Sequence, residues 1–322
     1  HAAEQRIAIS QLVSVSLGHW ALEAVSRILD DPNALTEEQL QRLAGLTGGL
    51  DAGLVSSSTL ADDALIARDF FQAVYGVTGE ELVTYEGSRH LRSLIEAGQA
   101  IRDAMDEADS NPDIRAAEPD ERRKLIEDFV WSIFQTRISK RSETIADFEA
   151  IMAAIDADAA VPVWEWAAYP GEAAVESINA EYEAANRYSL AAILTPPLDM
   201  LGRTPTQFRQ ERDALRTRIA IEQFRLLRGR WPGSLTELVP EFLDRIPHDR
   251  ADGHPLRYRL DEQGRPLLYS LGPDRDDDGG VPTPSGRELR FYFPDELAAA
   301  RAGAPDAPAV PDGDWVHWRV QD

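Results

Sequence analysis

The chain contains no cysteine among its 322 residues. This absence excludes a disulfide framework, thiol catalysis and cysteine-ligated zinc. The sequence also has no apolar run close to the roughly 20 residues that a membrane-spanning helix needs. Positive charge is scarce, because 33 Lys and Arg stand against 56 Asp and Glu, for a formal net charge of -23. A chain this acidic repels nucleic acids and anionic membrane surfaces, so we expect neither as a partner.

The sequence patterns of enzyme active sites are missing as well. The chain has no Gly-x-Ser-x-Gly turn, no phosphate-binding loop, no Gly-x-Gly-x-x-Gly and no His-Glu-x-x-His. We therefore predict no catalytic residue and no residue that binds an organic cofactor, and we favour a non-enzymatic role. The alternative is a hydrolase with a carboxylate site in a groove of the helical region, since two carboxylates suffice for glycoside hydrolysis.

The first two thirds of the sequence, residues 1–204, favour helices. Apolar residues recur at helical spacing along most of this stretch, and Thr36 and Gln39 stand where a capping box would start a helix. Few residues alternate with period two, so we expect no strand of consequence before residue 250. The proline-rich stretch 195–205 is typical of a linker, which places the predicted end of a helical domain at residue 204.

Residues 205–322 change character and predict a second, α+β domain. A long helix is predicted over residues 208–228, with Gly229 as its stop. Alternating runs at 256–260 and 267–271, separated by a turn at 261–264, predict a hairpin, and two further alternating runs lie at 288–293 and 315–320. The whole chain is thus predicted to be α+β and mostly α, with a long helix packed on a small antiparallel sheet.

The densest aromatic cluster is Trp-Glu-Trp-Ala-Ala-Tyr, from Trp164 to Tyr169. Such a cluster can form a binding platform for a sugar or a peptide, or it can simply pack between helices. We favour packing and keep the platform as the alternative.

Four segments of the C-terminal part resemble the major pseudopilin of type II secretion systems. The first reads Phe-Arg-Leu-Leu-Arg-Gly-Arg-Trp-Pro-Gly-Ser-Leu over residues 224–235. The others are Leu-Val-Pro at 238–240 with Pro-x-Asp-x-x-x-Gly-x-Pro-Leu-x-Tyr at 247–258, Tyr-Ser-Leu-Gly-Pro-Asp at 269–274, and Gly-Asp-Trp-Val at 313–316. Their order and spacing match that family over roughly residues 207–320. A similar block also ends larger bacterial proteins, which this chain resembles more closely.

The resemblance implies a pseudopilin-like head in an extracytoplasmic protein of a bacterial envelope, with a structural or partner-binding role. The chain opens on His1 in what reads as the middle of a helix, so we expect a signal or anchor segment upstream. Any membrane attachment would come through that segment. Partners are expected to be other proteins of the envelope.

An acidic run, Asp-Arg-Asp-Asp-Asp-Gly from Asp274 to Gly279, fits the first half of a calcium loop. The twelfth position of such a loop is normally Glu, but here it is Ser285, so the bidentate ligand is absent. A solvated acidic turn is the alternative. The resemblance implies a structural Ca²⁺ in this loop. The predicted ligands are the backbone carbonyl of Leu271 and the side chains of Asp274, Asp276, Asp278, Asp312 and Asp314.

Overall fold

The computed structural model describes residues 8–31, 35–51, 69, 71–76, 81–87, 106–169, 171–195, 198–284, 292–305 and 307–320. Helices dominate this part of the chain, and the strands form a single three-stranded antiparallel sheet. The predicted class, α+β and mostly α, is confirmed. None of the described helices combines the length and the apolar character that crossing a membrane requires.

Nine helices have both ends within the described residues, with three additional 3₁₀ turns at Gly49–Asp51, Val163–Glu165 and Leu235–Leu238. Residues 71–75, 85–87 and 106–110 are helical as well. Their bounds are α1 Ala8–Leu29, α2 Glu37–Gly48, α3 Pro112–Ala116, α4 Pro119–Arg137, α5 Arg141–Ala159, α6 Glu172–Ala184, α7 Leu190–Leu194, α8 Leu198–Arg228 and α9 Pro294–Arg301. The strands are β1 Arg257–Leu260, β2 Pro266–Ser270 and β3 Trp315–Arg319.

Local signals in the sequence explain several of these ends. Thr36 and Gln39 form the predicted capping box at the start of α2: the Thr36 N–H donates to the Gln39 side chain at 2.8 Å, and the Gln39 N–H donates to the Thr36 hydroxyl at 3.3 Å. At the other end of α8, Gly229 adopts φ +70° and stops the helix.

The chain divides into two compact units. One comprises the described residues within Ser57–Asp158 and Tyr169–Leu198, and therefore holds α3, α4, α6, α7 and nearly all of α5. Its core gathers apolar residues from all along this stretch: Phe71, Val74, Tyr75, Val83, Val130, Ile133, Ile138 and Leu190. The buried Tyr75 hydroxyl donates to the Ser139 carbonyl at 2.7 Å, which ties two distant segments of the unit together.

The other unit contains α1, α2, the turn at Val163–Glu165, α8 and the sheet. One face of α8 packs against α1 and α2, in a cluster formed by Leu22, Leu29, Leu40, Phe208, Leu215 and Ile219. Another face packs against the sheet and the turns before it, through residues such as Ile221, Phe224, Leu238, Leu268 and Trp318. The long helix on a small antiparallel sheet matches the expectation for this part of the chain.

The grouping into units differs from the predicted division of residues 1–204 from 205–322. The predicted boundary falls inside α8, which begins at Leu198, before Pro205. The two N-terminal helices also belong with the C-terminal sheet. The physical reason is the apolar face of α8, which buries side chains of α1 and α2 and so joins segments that are far apart in sequence.

The sheet has the order β1-β2-β3, with both pairs antiparallel. The predicted hairpin is present: Tyr258 lies opposite Leu268, and the turn between the strands closes with a 2.8 Å bond from the Asp261 N–H to the Arg265 carbonyl. Before residue 250, the described residues form only the isolated bridge between Ile138 and Tyr188 and half of one at His248. Most of the strand predicted at 288–293 lies outside the described residues. The central strand β2 ends at Ser270, immediately before the acidic segment.

Candidate metal centre

The acidic loop, residues 274–279, lies between the end of β2 and residues that pair with the entry to β3. Four aspartates converge there: one carboxylate oxygen from each of Asp274, Asp276, Asp278 and Asp312 lies within 4.8 Å of the others. Three of these side chains alternate along the loop, and the fourth comes from 38 residues further along the chain than Asp274. The structure therefore brings together four of the five predicted carboxylate ligands.

The loop backbone directs alternate side chains in opposite directions. Asp274 accepts hydrogen bonds from the N–H groups of Gly313, at 3.2 Å, and Asp276, at 3.5 Å. Asp277 stands outside the cluster, where its carboxylate accepts from the Tyr269 hydroxyl at 3.1 Å and from the Gly279 N–H at 3.0 Å. This alternation explains why three of the four loop aspartates share one small volume and the other does not.

A close backbone approach fixes the distal segment against the loop. The Asp314 N–H donates to the Val281 carbonyl at 2.7 Å, and the Thr283 N–H donates to the Asp314 carbonyl at 3.2 Å. A Cβ atom on Gly272 would lie 1.7 Å from the Gly313 carbonyl oxygen, a distance that no real side chain could keep. Only glycine at position 272 allows the two segments to come this close, and this approach carries Asp312 to the loop.

Asp314 does not belong to the group of four, but it lies at its edge. Its side chain is almost fully buried, with a relative exposure of 1% for the residue. One carboxylate oxygen, Oδ2, accepts from the Gly280 N–H at 2.7 Å, whereas Oδ1 is buried and has no partner among the described residues. Oδ2 of Asp278 is in the same condition. Because buried polar atoms in folded proteins nearly always have partners, ordered water included, each of these two carboxylate oxygens is expected to contact a water molecule or a bound ion.

The electrostatics of the cluster point the same way. Burial, and then the neighbouring charge of Asp276, raise the pKa of Asp274 to about 6. Burial, with the charges of Asp277 and Asp278 adding to it, raises the pKa of Asp314 to about 6 as well. The pKa of Asp278 is raised in the same direction by desolvation and by the charges of Asp276 and Asp312. These carboxylates hold their negative charges at a cost that a bound cation would remove.

The arginines around the loop support its backbone and leave its charge in place. Arg301 donates to the carbonyl of Asp274 at 3.0 Å, and Arg259 and Arg319 donate to the carbonyls of Gly279 and Gly280 at 2.7 and 2.6 Å. Among the described residues, no Arg, Lys or His side chain lies within ion-pair distance of the four clustered carboxylates. The negative charge of the cluster therefore stays available to a cation.

Leu271, predicted to contribute its carbonyl, is held in place by the buried carboxylate of Asp249, which the sequence pattern did not identify. The Leu271 N–H donates to Oδ2 of Asp249 at 2.9 Å. Asp249 is fully buried and also accepts from the Ala251 N–H at 2.9 Å and from the Arg257 guanidinium at 2.5 Å. Its signal in the sequence was the Pro-x-Asp segment at 247–249, which carried the family resemblance without a stated role.

The donor set fits a hard cation such as Ca²⁺. Every side chain in the cluster offers oxygen, and calcium takes six to eight oxygen ligands. Asp274, Asp276, Asp278 and Asp312 would hold the ion, and the orphaned oxygen of Asp314 lies beside them. Ser285 lies outside the described residues. The chain offers no cysteine, and the described histidines contribute no ligand to the cluster, so the site does not resemble a zinc centre.

The chain was compared with models of protein families, with curated proteins and with solved structures, and none of them matches it.

Proposed function

We propose that this protein is a non-enzymatic component of a bacterial cell envelope, and that Ca²⁺ stabilises the unit that contains α8 and the sheet. The observation that carries the proposal is the cluster of four aspartates whose carboxylate oxygens lie within 4.8 Å of one another. Four such charges repel one another strongly unless a cation or water separates them. The two buried carboxylate oxygens without partners beside them support a bound ion over a solvated turn.

A calcium ion bound to the acidic loop would cross-link two segments of the chain. The loop aspartates follow β2, and Asp312 precedes β3, so one ion would join the exit of the central strand to the entry of an edge strand. A ligand that binds only the folded state stabilises it by RT ln(1 + [L]/Kd), about 2.7 kcal/mol at a hundredfold excess over Kd. A site of this kind suits an extracytoplasmic protein, because extracellular calcium modules work at Kd values of about 0.1–1 mM.

The role in the envelope rests on the resemblance of residues 207–320 to the major pseudopilin of type II secretion. The order of the four matching segments, the long helix on a small sheet and the acidic loop all agree with that resemblance. We propose a structural or partner-binding role, with other envelope proteins as partners.

Thermal unfolding of the metal-stripped protein tests the calcium site. Millimolar Ca²⁺ should raise the Tm by several degrees relative to chelator, and Mg²⁺ should raise it less because it prefers a tighter octahedral shell. Asp274→Asn and Asp276→Asn should abolish the increment. Asp277→Asn is the matched control, since that side chain lies in the same loop but faces Tyr269 and Gly279, and it should keep most of the increment.

Superimposable unfolding curves in calcium and in chelator would reject the site. An increment of equal size in Asp274→Asn, Asp276→Asn and Asp277→Asn would reject it too, because it would show binding to the general surface charge of the protein. Either result would leave the acidic loop as a solvated turn.

A further inference from the structure

A second charged feature of the same unit has the opposite sign. Four arginines line a cleft of about 580 Å³ in a chain whose net charge is -23. We call it the arginine cleft and define it by Arg212, Arg216, Arg245, Arg250, Asp213 and Trp164. Its volume falls within the range of small-molecule pockets, about 300–1,000 Å³. We propose that this cleft binds a small phosphate ester, a function independent of the calcium site.

Three segments that are distant in sequence build the cleft. Arg212 and Arg216 stand one helical turn apart on α8 and therefore share a face. Arg245 and Arg250 come from the irregular segment before β1, and Trp164 comes from the 3₁₀ turn at Val163–Glu165. All of these residues belong to one compact unit. The cleft is thus a product of tertiary folding, and its positive charge is gathered from around the unit.

Asp213 organises the inner pair of arginines. The Arg212 guanidinium donates twice to Oδ1 of Asp213, at 3.0 and 2.7 Å, and the Arg250 guanidinium donates to Oδ2 at 2.8 Å. The Arg250 N–H donates to the side chain of Gln210 at 2.9 Å, which fixes its backbone on α8. Both guanidinium groups are largely buried, with side-chain exposures of 7% and 16%. Two cations are therefore held in defined orientations by one carboxylate.

The cleft keeps an excess of positive charge. Asp213 and the exposed Asp244 are the aspartates in its lining, against four arginines. Arg216 and Arg245 form no hydrogen bond or ion pair within the part of the chain that the structure describes. The crowding of cations is also visible at Arg250: burial lowers the pKa of its guanidinium, Asp213 opposes the change, and Arg212 and Arg209 lower it further. An anion in the cleft would relieve this repulsion.

The guanidinium groups of the arginine cleft determine which kind of ligand it can bind. The guanidinium group is planar and always charged, and it matches phosphate oxygens with paired hydrogen bonds. Trp164 and His248 contribute aromatic rings to the lining of the cleft, and these rings lie 5.5 Å apart at a tilt of 33°. A phosphate ester could place its charged group at the arginines and its organic part along these rings.

The setting of the cleft favours a small ligand over a polymer or a membrane. At physiological ionic strength the field of surface charges is screened beyond about 8 Å, so the acidic remainder of the protein does not prevent a small anion from entering. A nucleic acid or an anionic bilayer would instead have to meet the acidic surface over a wide area. The inward position of Arg212 and Arg250 is likewise suited to a ligand that enters the cleft.

Isothermal titration of the whole chain with inorganic phosphate and with phenyl phosphate tests the proposal. Chelator is present throughout, so that phosphate does not precipitate calcium and the acidic loop stays metal-free. Both probes should bind saturably, and neutral phenol should not. The double variant Arg216→Ala/Arg245→Ala should weaken binding by about tenfold or more, since it removes the two guanidinium groups that have no partner in the described structure.

The matched control is Arg27→Ala/Arg228→Ala, which removes two exposed arginines from the same unit and should change the affinity less than twofold. If the double variant does not fold, Arg245→Glu replaces it as the test variant, because residue 245 is exposed. This substitution should weaken binding as well. Absence of saturable binding of both phosphate probes at millimolar concentration would overturn the proposal. So would an equal loss in the control, or an affinity unchanged by Arg245→Glu.

Discussion

The acidic loop and the arginine cleft belong to the same compact unit, yet their charges are assembled in opposite ways. The loop takes three of its four clustered carboxylates from five consecutive residues, Asp274 to Asp278. The cleft takes its four arginines from two places on the chain and Trp164 from a third. Asp249 and Arg250 are adjacent in sequence but serve different sites. Asp249 accepts a hydrogen bond from Leu271 next to the loop, and Arg250 pairs with Asp213 in the cleft.

This difference shows which charged sites a sequence reveals. The alternating carboxylates of the acidic loop can be recognised in the sequence, because residues close together in the chain form that site. Arginines at 212, 216, 245 and 250 form no pattern until the helix, the irregular segment and the turn at Val163–Glu165 pack together. In a chain with 56 acidic residues, the positive cleft is also hidden by the overall composition.

Gly272→Ala should have the largest effect on stability and on the calcium response of the loop. It does not alter the arginine cleft directly. The new Cβ would lie 1.7 Å from the Gly313 carbonyl oxygen, so the loop and the segment with Asp312 would have to separate. We expect a loss of about 3 kcal/mol or more in the free energy of unfolding, as for other severe steric substitutions, and loss of the calcium response. Urea unfolding with calcium and with chelator measures both.

Gly45→Ala is the control for this substitution, because it lies in α2 and a Cβ there meets nothing within 4 Å. It should leave stability unchanged or raise it by up to about 1 kcal/mol, as alanine favours helix over glycine. A Gly272→Ala variant as stable and as responsive to calcium as the Gly45→Ala variant would contradict the close approach of the two segments.

A smaller effect than that of Gly272→Ala should come from His317, which belongs to neither charged site. Its titration should make the free energy of unfolding depend on pH. Burial lowers the pKa of His317 from 6.5 to about 4, although Glu211 opposes the change, and its Nε2 lies 2.8 Å from the Ser270 hydroxyl. Between pH 4 and 6.5 the unfolded chain therefore binds more protons than the folded one. The free energy of unfolding should fall as pH falls through this window, by roughly 1–3 kcal/mol from this group.

His317→Gln removes this titration and keeps a polar partner for Ser270. Urea unfolding of the wild type and the variant at pH 7.5 and 4.5 measures the difference, and the loop carboxylates cancel because they titrate in both proteins. The wild type should lose more stability than the variant at the lower pH. Equal losses in the two proteins would show that His317 is not kept neutral by burial.

Much of the fold could be predicted from local patterns. The capping box at Thr36, the glycine stop at Gly229 and the hairpin around residues 261–264 are each written in a few neighbouring residues. The partition of the chain could not be predicted in this way. The prolines at 195–205 suggested a linker, whereas α8 begins at Leu198 and α1 and α2 pack on it through contacts that only the folded chain makes.

The same reasoning applies to the candidate site. Asp274, Asp276 and Asp278 were predicted from their spacing, and Asp312 came with the family resemblance. The role of Asp249, and the close approach of Gly272 to Gly313, depend on backbone atoms of segments that meet only in three dimensions. Asp314 was predicted as a ligand, and the structure places it beside the cluster with one oxygen bound to Gly280 and the other buried without a partner.

Calorimetric titration of the metal-stripped chain with Ca²⁺ tests the central claim most directly, because it measures binding without relying on a change in stability. One ion should bind per chain, with a Kd between about 1 µM and 1 mM, the range of sensor and extracellular sites. Asp274→Asn/Asp276→Asn should show no saturable heat, and Asp277→Asn should keep the stoichiometry of one. A wild-type chain with no saturable binding in this range, or a double variant that binds as the wild type does, would contradict the calcium site.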